Sequence, residues 1–459
     1  MNTKLRDWQK IILWLAVLKI GYFALVAGLI SLWPDFDENR NNAVLENWFP
    51  TNEARWLAAQ QTKFSRHFTT WDAAHYLVLS EAGYFKGLKA CAFYPLWPMT
   101  VRWFSYATGV SHLISGMLLA NLFSLAGWAL FWSITARRFG QTVATWALVF
   151  LVVFPGSVFY QFIYTEPLFF FLLMLLWCGL ERRRYGLAFG AAFLLPLSRA
   201  VGVFALLPIV WHMLKRWRGA ARAPGNAAPT QGGIVPVEGR CDDLEEFSHA
   251  KPHEPGSAGI LAGVSRVEDL AGRDAGAPRR GTSDREFRLL ARLQLAGPTL
   301  LVAAPLLGWA TYFGLMQHWT GNAFEGFRAQ ENWQAHSINN LWDLPKFFIG
   351  FFEPASWHEF RGSVLDRCGF LMLAFCLPLL WRLGKDLVMW ACVLGIVPAM
   401  SGTFISFTRF ESVVFPLFIA LGVIATRPGG RWLRLVALPA MIILHVVLLW
   451  RFLNYGWAG

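Results

Sequence analysis

Charge is scarce in this sequence. Asp, Glu, Lys and Arg make up 15% of its 459 residues, against 55% hydrophobic types that include 39 Phe and 24 Trp. That is far more apolar surface than one soluble core absorbs, which excludes an ordinary soluble domain and leaves lipid as the solvent for much of the chain. Cysteine is sparse and unpatterned. Cys91, Cys178, Cys241, Cys368, Cys376 and Cys392 include no CxxC pair and lie mostly in apolar runs, so neither a disulfide framework nor a zinc site is indicated. A convincing repeat of one half in the other is also missing, which counts against the repeat-built transporters.

The net charge of +12 would suggest nucleic acid in a soluble protein. Here the basic residues sit in short clusters at the ends of apolar runs, as retention on the cytoplasmic side requires, so the charge reads as topology and no nucleic-acid partner is expected. Eleven stretches are candidates for crossing a membrane. They run from Ile11 to Trp33, His112 to Ala136, Thr142 to Tyr160, Ile163 to Leu180, Gly186 to Leu197 and Val201 to Leu214. After a gap they resume from Ala291 to Leu315, Val364 to Trp381, Leu387 to Gly402, Val413 to Thr426 and Leu433 to Phe452. The first has no small-residue cleavage site before Pro34 and is expected to remain as an anchor. With a cytoplasmic N-terminus, Arg137-Arg138, Arg182-Arg183-Arg184, Lys215-Arg216-Arg218, Arg382-Lys385 and Arg427-Arg431-Arg434 all fall on the cytoplasmic side. The expected class is therefore an all-α, polytopic integral membrane protein surrounded by membrane lipids.

Three connections are long. Pro34 to Ser111 carries acids among many aromatics and reads as a folded extracytoplasmic segment belonging with an N-terminal membrane region of residues 1–218. Residues 219–285, rich in Gly, Ala and Pro with mixed charge, have the composition of a disordered cytoplasmic insert. The C-terminal membrane region, 286–459, contains the polar stretch 317–362, which returns to the outer side beside the first loop.

The segment Thr69 to Pro98 is the most informative. Thr69 or Thr70 is expected to cap a helix, placing Asp72 in its first turn and Asp72 with His75 on one face. An acid there either simply complements the helix dipole or serves as a base. Glu166 and Arg199 interrupt apolar stretches, and Arg409 falls on the same side. Ionisable groups in such positions face a cavity, pair with each other, as Glu166 could with Arg199, or reach to the headgroups. The planar fork of an arginine suits a phosphate. His75 could move a proton or fill a structural hydrogen-bonding role. A single His without a second ligand at metal spacing supports no metal, and no cofactor is expected.

In order along the chain, Trp71-Asp72-Ala73-x-His75, Gly83-Tyr84, Ala92-Phe93-Tyr94-Pro95-Leu96-x-Pro98, Tyr164-Thr165-Glu166 and Ser198-Arg199-Ala200-x-Gly202 form a set. This set resembles the membrane mannosyltransferases that add the second mannose in glycosylphosphatidylinositol anchor assembly, together with their bacterial relatives. Gly321 to Gln330 with Trp333, and Arg409 ahead of Phe415-Pro416-Leu417-Phe418, look like the bacterial branch. Ala200 departs from the polar residue of the eukaryotic members. The resemblance implies a C-type glycosyltransferase fold of multiple spans, with the active site in the large first extracytoplasmic loop and a polyprenyl-phosphate mannose donor. Carried over residue by residue, it implies Asp72 as base with Glu166, Arg199 and His75 as the surrounding pocket; Tyr84, Tyr164 and Gln330, in the matching pieces, are further pocket candidates, and the chemistry of arginine makes Arg199 and Arg409 the candidates for the donor phosphate. The acceptor does not carry over. A transporter or flippase, or a scaffold that binds a lipid-linked sugar, is the competing class. The common sidedness of the charges favours the enzyme.

Overall fold

Inside a bilayer every backbone N–H and C=O must find a partner within its own segment, so long apolar runs become helices. The computed structural model describes residues 2–32, 65–222, 284–331, 338–354, 357, 362–402 and 404–458, and among these there is helix and no strand. By internal contacts the chain divides into one unit of residues 1–221 with 297–459 and a second of residues 222–296. Most of the second unit, and with it most of the insert expected at 219–285, lies outside the described residues, as do residues 33–64 of the first loop. The first unit holds nearly all of the described residues.

The principal helices are α1 (Asn2–Leu32), α2 (Asp72–Ala82), α3 (Leu96–Thr108), α4 (His112–Phe139), α5 (Gln141–Val153), α6 (Glu166–Glu181), α7 (Tyr185–Ser198) and α8 (Leu206–Arg222). They continue as α9 (Asp284–Thr320), α10 (Glu325–Gln330), α11 (Leu344–Phe352), α12 (Val364–Leu383), α13 (Lys385–Ala391), α14 (Val397–Gly402), α15 (Phe407–Glu411), α16 (Phe415–Thr426) and α17 (Leu438–Leu453). Among the described residues, six stretches are long and apolar enough to cross a membrane: Asp7–Leu32, His112–Phe139, Leu300–Thr320, Val364–Leu383, Lys385–Gly402 and Pro428–Leu453. This is a polytopic helical membrane protein. The other five expected spans are occupied by shorter helices, α5, α6, α7, α8 and α16, of 12 to 17 residues, of which α8 is apolar only in its first half and carries Lys215, Arg216 and Arg218 in its second. At about 1.5 Å per residue these reach roughly 18–26 Å, short of a hydrocarbon core of about 30 Å. Their missing length is made up by turns that are buried in protein, as at Pro155–Tyr160, or that border an internal cavity, as at Ala200–Ala205, the two settings in which such backbone is tolerated.

Where the helices face lipid they are apolar outward. Ile20 of α1 and Phe375 of α12 are exposed, whereas α16 is buried on every side. Its close approach to α5 depends on Gly422, where a Cβ would come within 2.9 Å of the Ala147 backbone nitrogen. The two ends of α6 have different chemistry. At its last turn Arg138 from the end of α4 binds Asp386 with two hydrogen bonds, of 2.6 and 2.9 Å, and Glu181 at 3.0 Å. Basic loops expected on one side of the membrane therefore meet there. At the first residue of α6, about 24 Å away by helix rise, the acids and arginines singled out from the sequence meet instead.

One glycine sets how closely that second cluster packs. Gly156, in the 3₁₀ turn Pro155–Tyr160, lies under α15, and a Cβ there would sit 2.7 Å from the Thr408 carbonyl carbon and 3.1 Å from the Arg409 Cα. Backbone atoms cannot swing aside as a side chain can. Gly156→Ala should therefore destabilise the protein by about 1–3 kcal/mol and lower activity by displacing Arg409. Thermal unfolding of the purified variant in detergent measures the first effect, and an unchanged melting temperature would contradict it.

Candidate active site

Asp72 is the first residue of α2, but the expected threonine cap is not there. The N-cap position is Trp71, with φ 50° and ψ −125° and no side-chain cap bond. Thr69 Oγ1 donates back to the Arg66 carbonyl at 3.0 Å, and the Thr70 carbonyl is occupied by the Ala73 N–H and the Tyr164 hydroxyl. A positive φ in a tryptophan costs on the order of 1–3 kcal/mol and persists only where its surroundings over-determine it. Here the indole N–H donates to the Gly456 carbonyl at 3.1 Å, and the ring stacks on Tyr455 at 5.2 Å and meets the edge of Trp457 at 5.1 Å. The C-terminal segment thus fixes the turn that aims Asp72.

Asp72 begins a chain of alternating charge. Arg409 of α15 donates through Nη1 to Asp72 Oδ2 and through Nε to Glu166 Oε1. Arg199 donates through Nη1 to the same Glu166 oxygen at 2.8 Å. Glu166 is fully buried, while the Asp72 side chain retains 25% exposure. Two carboxylates and two guanidinium groups sum to zero charge, which is what allows them to share a site with little water. Local structure contributes. Pro167 occupies the first turn of α6, so the helix begins at Glu166, where an acid complements the dipole. At α7 the helix ends at Ser198, and Arg199 turns to extended backbone with φ −155°, placing a cation at a helix C-terminus. Aromatic faces flank both arginines: Tyr164 lies 4.6 Å from the Arg409 guanidinium and Phe410 lies 4.5 Å from that of Arg199.

The chain of charges borders a cavity of about 800 Å³ lined on one side by Trp71, Asp72, His75, Phe93, Tyr94, Arg199 and Arg409, and on the other by Trp309, Tyr312, Phe327, Gln330 and Glu331. Its volume lies in the range of small-molecule sites. Of the residues singled out from the sequence, Asp72, His75, Arg199, Arg409 and Gln330 line it. His75 is buried one turn after Asp72 and stacks on Phe93 at 5.1 Å. Gln330 donates to the Ala92 carbonyl at 2.9 Å, tying α10 to the first loop. Glu166 and Tyr164 stand directly behind the lining and support it. Tyr84 lies further off, stacked on Trp319 at 5.0 Å with its hydroxyl on the Phe93 carbonyl at 2.9 Å, and it holds the loop that carries Phe93 and Tyr94. Lys346 and Asn340 also line the cavity and are not among the residues the sequence singles out. The signal available is a lone lysine in an aromatic run, Leu344 to Phe352, within a stretch expected to face the first loop.

Residues 19–222 match the family model described as Mannosyltransferase (PIG-V). Over that stretch the chain is PIG-V-like. Among curated proteins, none matches. The matched residues carry Asp72, His75, Glu166 and Arg199, whereas Arg409, Gln330 and Lys346 reach the PIG-V-like half from beyond it. The match and the helical membrane architecture together support a membrane mannosyltransferase.

The two ion pairs of Arg409 should differ in strength because their burial differs. In double-mutant cycles with alanine, the coupling of Arg409 to fully buried Glu166 should exceed its coupling to part-exposed Asp72, and Arg409→Ala alone should cost roughly 3–5 kcal/mol by stranding charge. Equal couplings would contradict this ordering. A second prediction concerns Glu325, which clamps α10 to the first loop by accepting the Gly87 N–H at 2.7 Å and the Asn322 amide at 3.1 Å. Burial pushes its carboxyl up, but those two donors, with Arg328 and Lys86, outweigh it and hold the group below the usual carboxylate range. A depressed folded-state pKa contributes stability above the unfolded value of about 4.3, and that contribution disappears as pH falls through the lower folded value. The wild type should lose more melting temperature between pH 6 and pH 3, working limits chosen around that value of about 4.3, than Glu325→Gln does. Parallel curves would contradict the assignment.

Proposed function

We propose that the protein transfers mannose, or another hexose, from a polyprenyl-phosphate carrier to an acceptor on the extracytoplasmic face of a bacterial inner membrane, with inversion at the anomeric carbon. The observation that carries this reading is a cavity in which a carboxylate, Asp72, is oriented by an arginine beside aromatic walls, Asp72 itself lying among residues that match a mannosyltransferase family model. Asp72 offers Oδ2 to Arg409, and Oδ1 accepts no hydrogen bond among the described residues, which suits it to receive a proton. In the proposed step the acceptor hydroxyl oxygen attacks the anomeric carbon, its proton passes to Asp72, and the bond from that carbon to the phosphate oxygen breaks. Polyprenyl phosphate leaves with the bonding pair. A phosphate is already a good leaving group, so positioning and charge supply much of the acceleration.

Arg199 remains the arginine suited to the phosphate, since it lines the cavity and gives one Nη to Glu166. Arg409 is less available. Its Nε and Nη1 are taken by Glu166 and Asp72, which favours a positioning role for it over the phosphate contact expected from the sequence. Stacked Tyr94 and Tyr312, 4.7 Å apart, together with Trp309 give the faces on which a sugar ring would rest. The fold expected of a C-type glycosyltransferase, with an active site in the first large outer loop, is consistent with Asp72 and His75 on α2.

Asp72→Asn preserves shape and removes the base. Transfer should fall by about 10²–10⁴-fold while the melting temperature changes little, because Asp72 is the more exposed of the two carboxylates. Mass spectrometry of glycolipids and glycans from cells lacking the protein, complemented with wild type or with the Asn variant, tests this. Loss of one hexose-bearing product, restored by wild type alone, is expected. Full rescue by the variant would remove Asp72 from the role, and an unchanged glycan profile in the deletion would favour transport or sugar binding without turnover.

A further inference from the structure

Among the described residues three cations line the cavity, and two of them, Arg199 and Arg409, are committed to carboxylates. The third is Lys346, in the first turn of α11. Its Nζ donates to Asn340 Oδ1 at 2.9 Å, and no carboxylate lies within ion-pair distance among the described residues. The nearest acid in sequence, Asp343, caps the helix instead, accepting the Lys346 backbone N–H at 3.0 Å. Asn340 is itself held, since its Nδ2 donates to the Ser401 carbonyl at 2.7 Å, so its Oδ1 is fixed as the acceptor that orients the ammonium group.

The helix that carries Lys346 has two apolar faces. Phe347 and Phe351 pack inward on Phe370 near the start of α12 and on Phe404. Leu344, Phe348 and Phe352, spaced four apart, form an outward stripe, with Phe352 70% exposed. At 100° per residue Lys346 lies well away from that stripe, consistent with its place in the cavity wall. Phe370 belongs to a membrane span, so the inward face of α11 packs on the membrane region while its outward stripe is left uncovered among the described residues. An uncovered apolar stripe on a short helix beside a span suits the interface plane of a membrane.

We infer that Lys346, oriented by Asn340, binds the phosphate of a polyprenyl-phosphate lipid that enters the cavity alongside α11, whose outward stripe rests in the outer leaflet. The inference rests on the lipid-donor reading above and adds to it the entry side and a specific phosphate ligand. An ammonium group without a competing carboxylate keeps its full attraction for an anion, unlike Arg409. Its hydrogen bond to a neutral amide costs little to redirect. The lipid chain remains in the bilayer while the phosphate and sugar pass over Lys346 toward Asp72.

The test uses the full chain in lipid nanodiscs, with a short-chain polyprenyl monophosphate as probe and the matching polyprenol and inorganic phosphate as controls. Lys346→Gln should weaken polyprenyl monophosphate binding about tenfold, as loss of one charge-assisted hydrogen bond implies, and Lys346→Arg should restore most of it. Polyprenol binding should be the same in all three proteins, and inorganic phosphate should compete poorly. In turnover, Lys346→Gln should raise KM for the lipid donor without raising KM for the acceptor. Equal affinity of wild type and Lys346→Gln for the probe overturns the assignment to Lys346. Efficient competition by inorganic phosphate overturns lipid entry beside α11, and a wild-type protein that binds no polyprenyl monophosphate overturns the lipid-donor reading itself.

Discussion

Glu166 has no exposed surface, and an ionised carboxylate in that position is tolerable only because Arg409 and Arg199 both reach it. This shared oxygen is the point on which the site depends. It joins the start of α6, the end of α7 and the short helix α15, and through Arg409 it also orients Asp72 at the start of α2. Removing a partner would leave charge in a low-dielectric setting, where the penalty is several kcal/mol. The four elements are therefore held in one register by electrostatics as well as by packing, and Gly156 lets α15 approach closely enough for the contacts to form.

Shortened helices make room for this arrangement. Had α6 and α7 each crossed a full bilayer thickness, the ends bearing Glu166 and Arg199 would have reached the headgroups. Ending instead within the protein, they leave a recess that the first loop roofs with Phe93 and Tyr94 and that the C-terminal half closes with Trp309, Tyr312 and Gln330. The opposite end of α6 carries Glu181 and meets Arg138, so one helix separates a basic loop cluster from a cavity lined with aromatics. That asymmetry suits an enzyme working at one face of a membrane better than a carrier with a central site.

Much of the fold is legible in the sequence because hydrophobic length and the position of basic clusters are local properties. All eleven apolar stretches form helices, although five are too short to cross by themselves, and Asp72 stands in a first helical turn as its surroundings in the sequence imply. The cap differs from the expected threonine because Trp71, with an unfavourable φ, is held by Tyr455, Gly456 and Trp457, hundreds of residues later in the chain. Propensity favours threonine at such a position, and a tertiary contact overrides it. Arg409 is recognisable as a cation suited to phosphate, but nothing local shows that two carboxylates compete for it.

The amino-acid sequence by itself determined that this chain lives in a membrane, where its apolar helices fall, and which family residues 19–222 resemble. These depend on composition, run length and short ordered motifs. Only the tertiary structure decided which charges neutralise one another and which stays available, because ion pairing depends on distances between elements as far apart as Asp72 and Arg409 or Asn340 and Ser401. It is that pairing, made in a medium of low dielectric where each partner counts heavily, that separates the supporting residues from those that face the cavity.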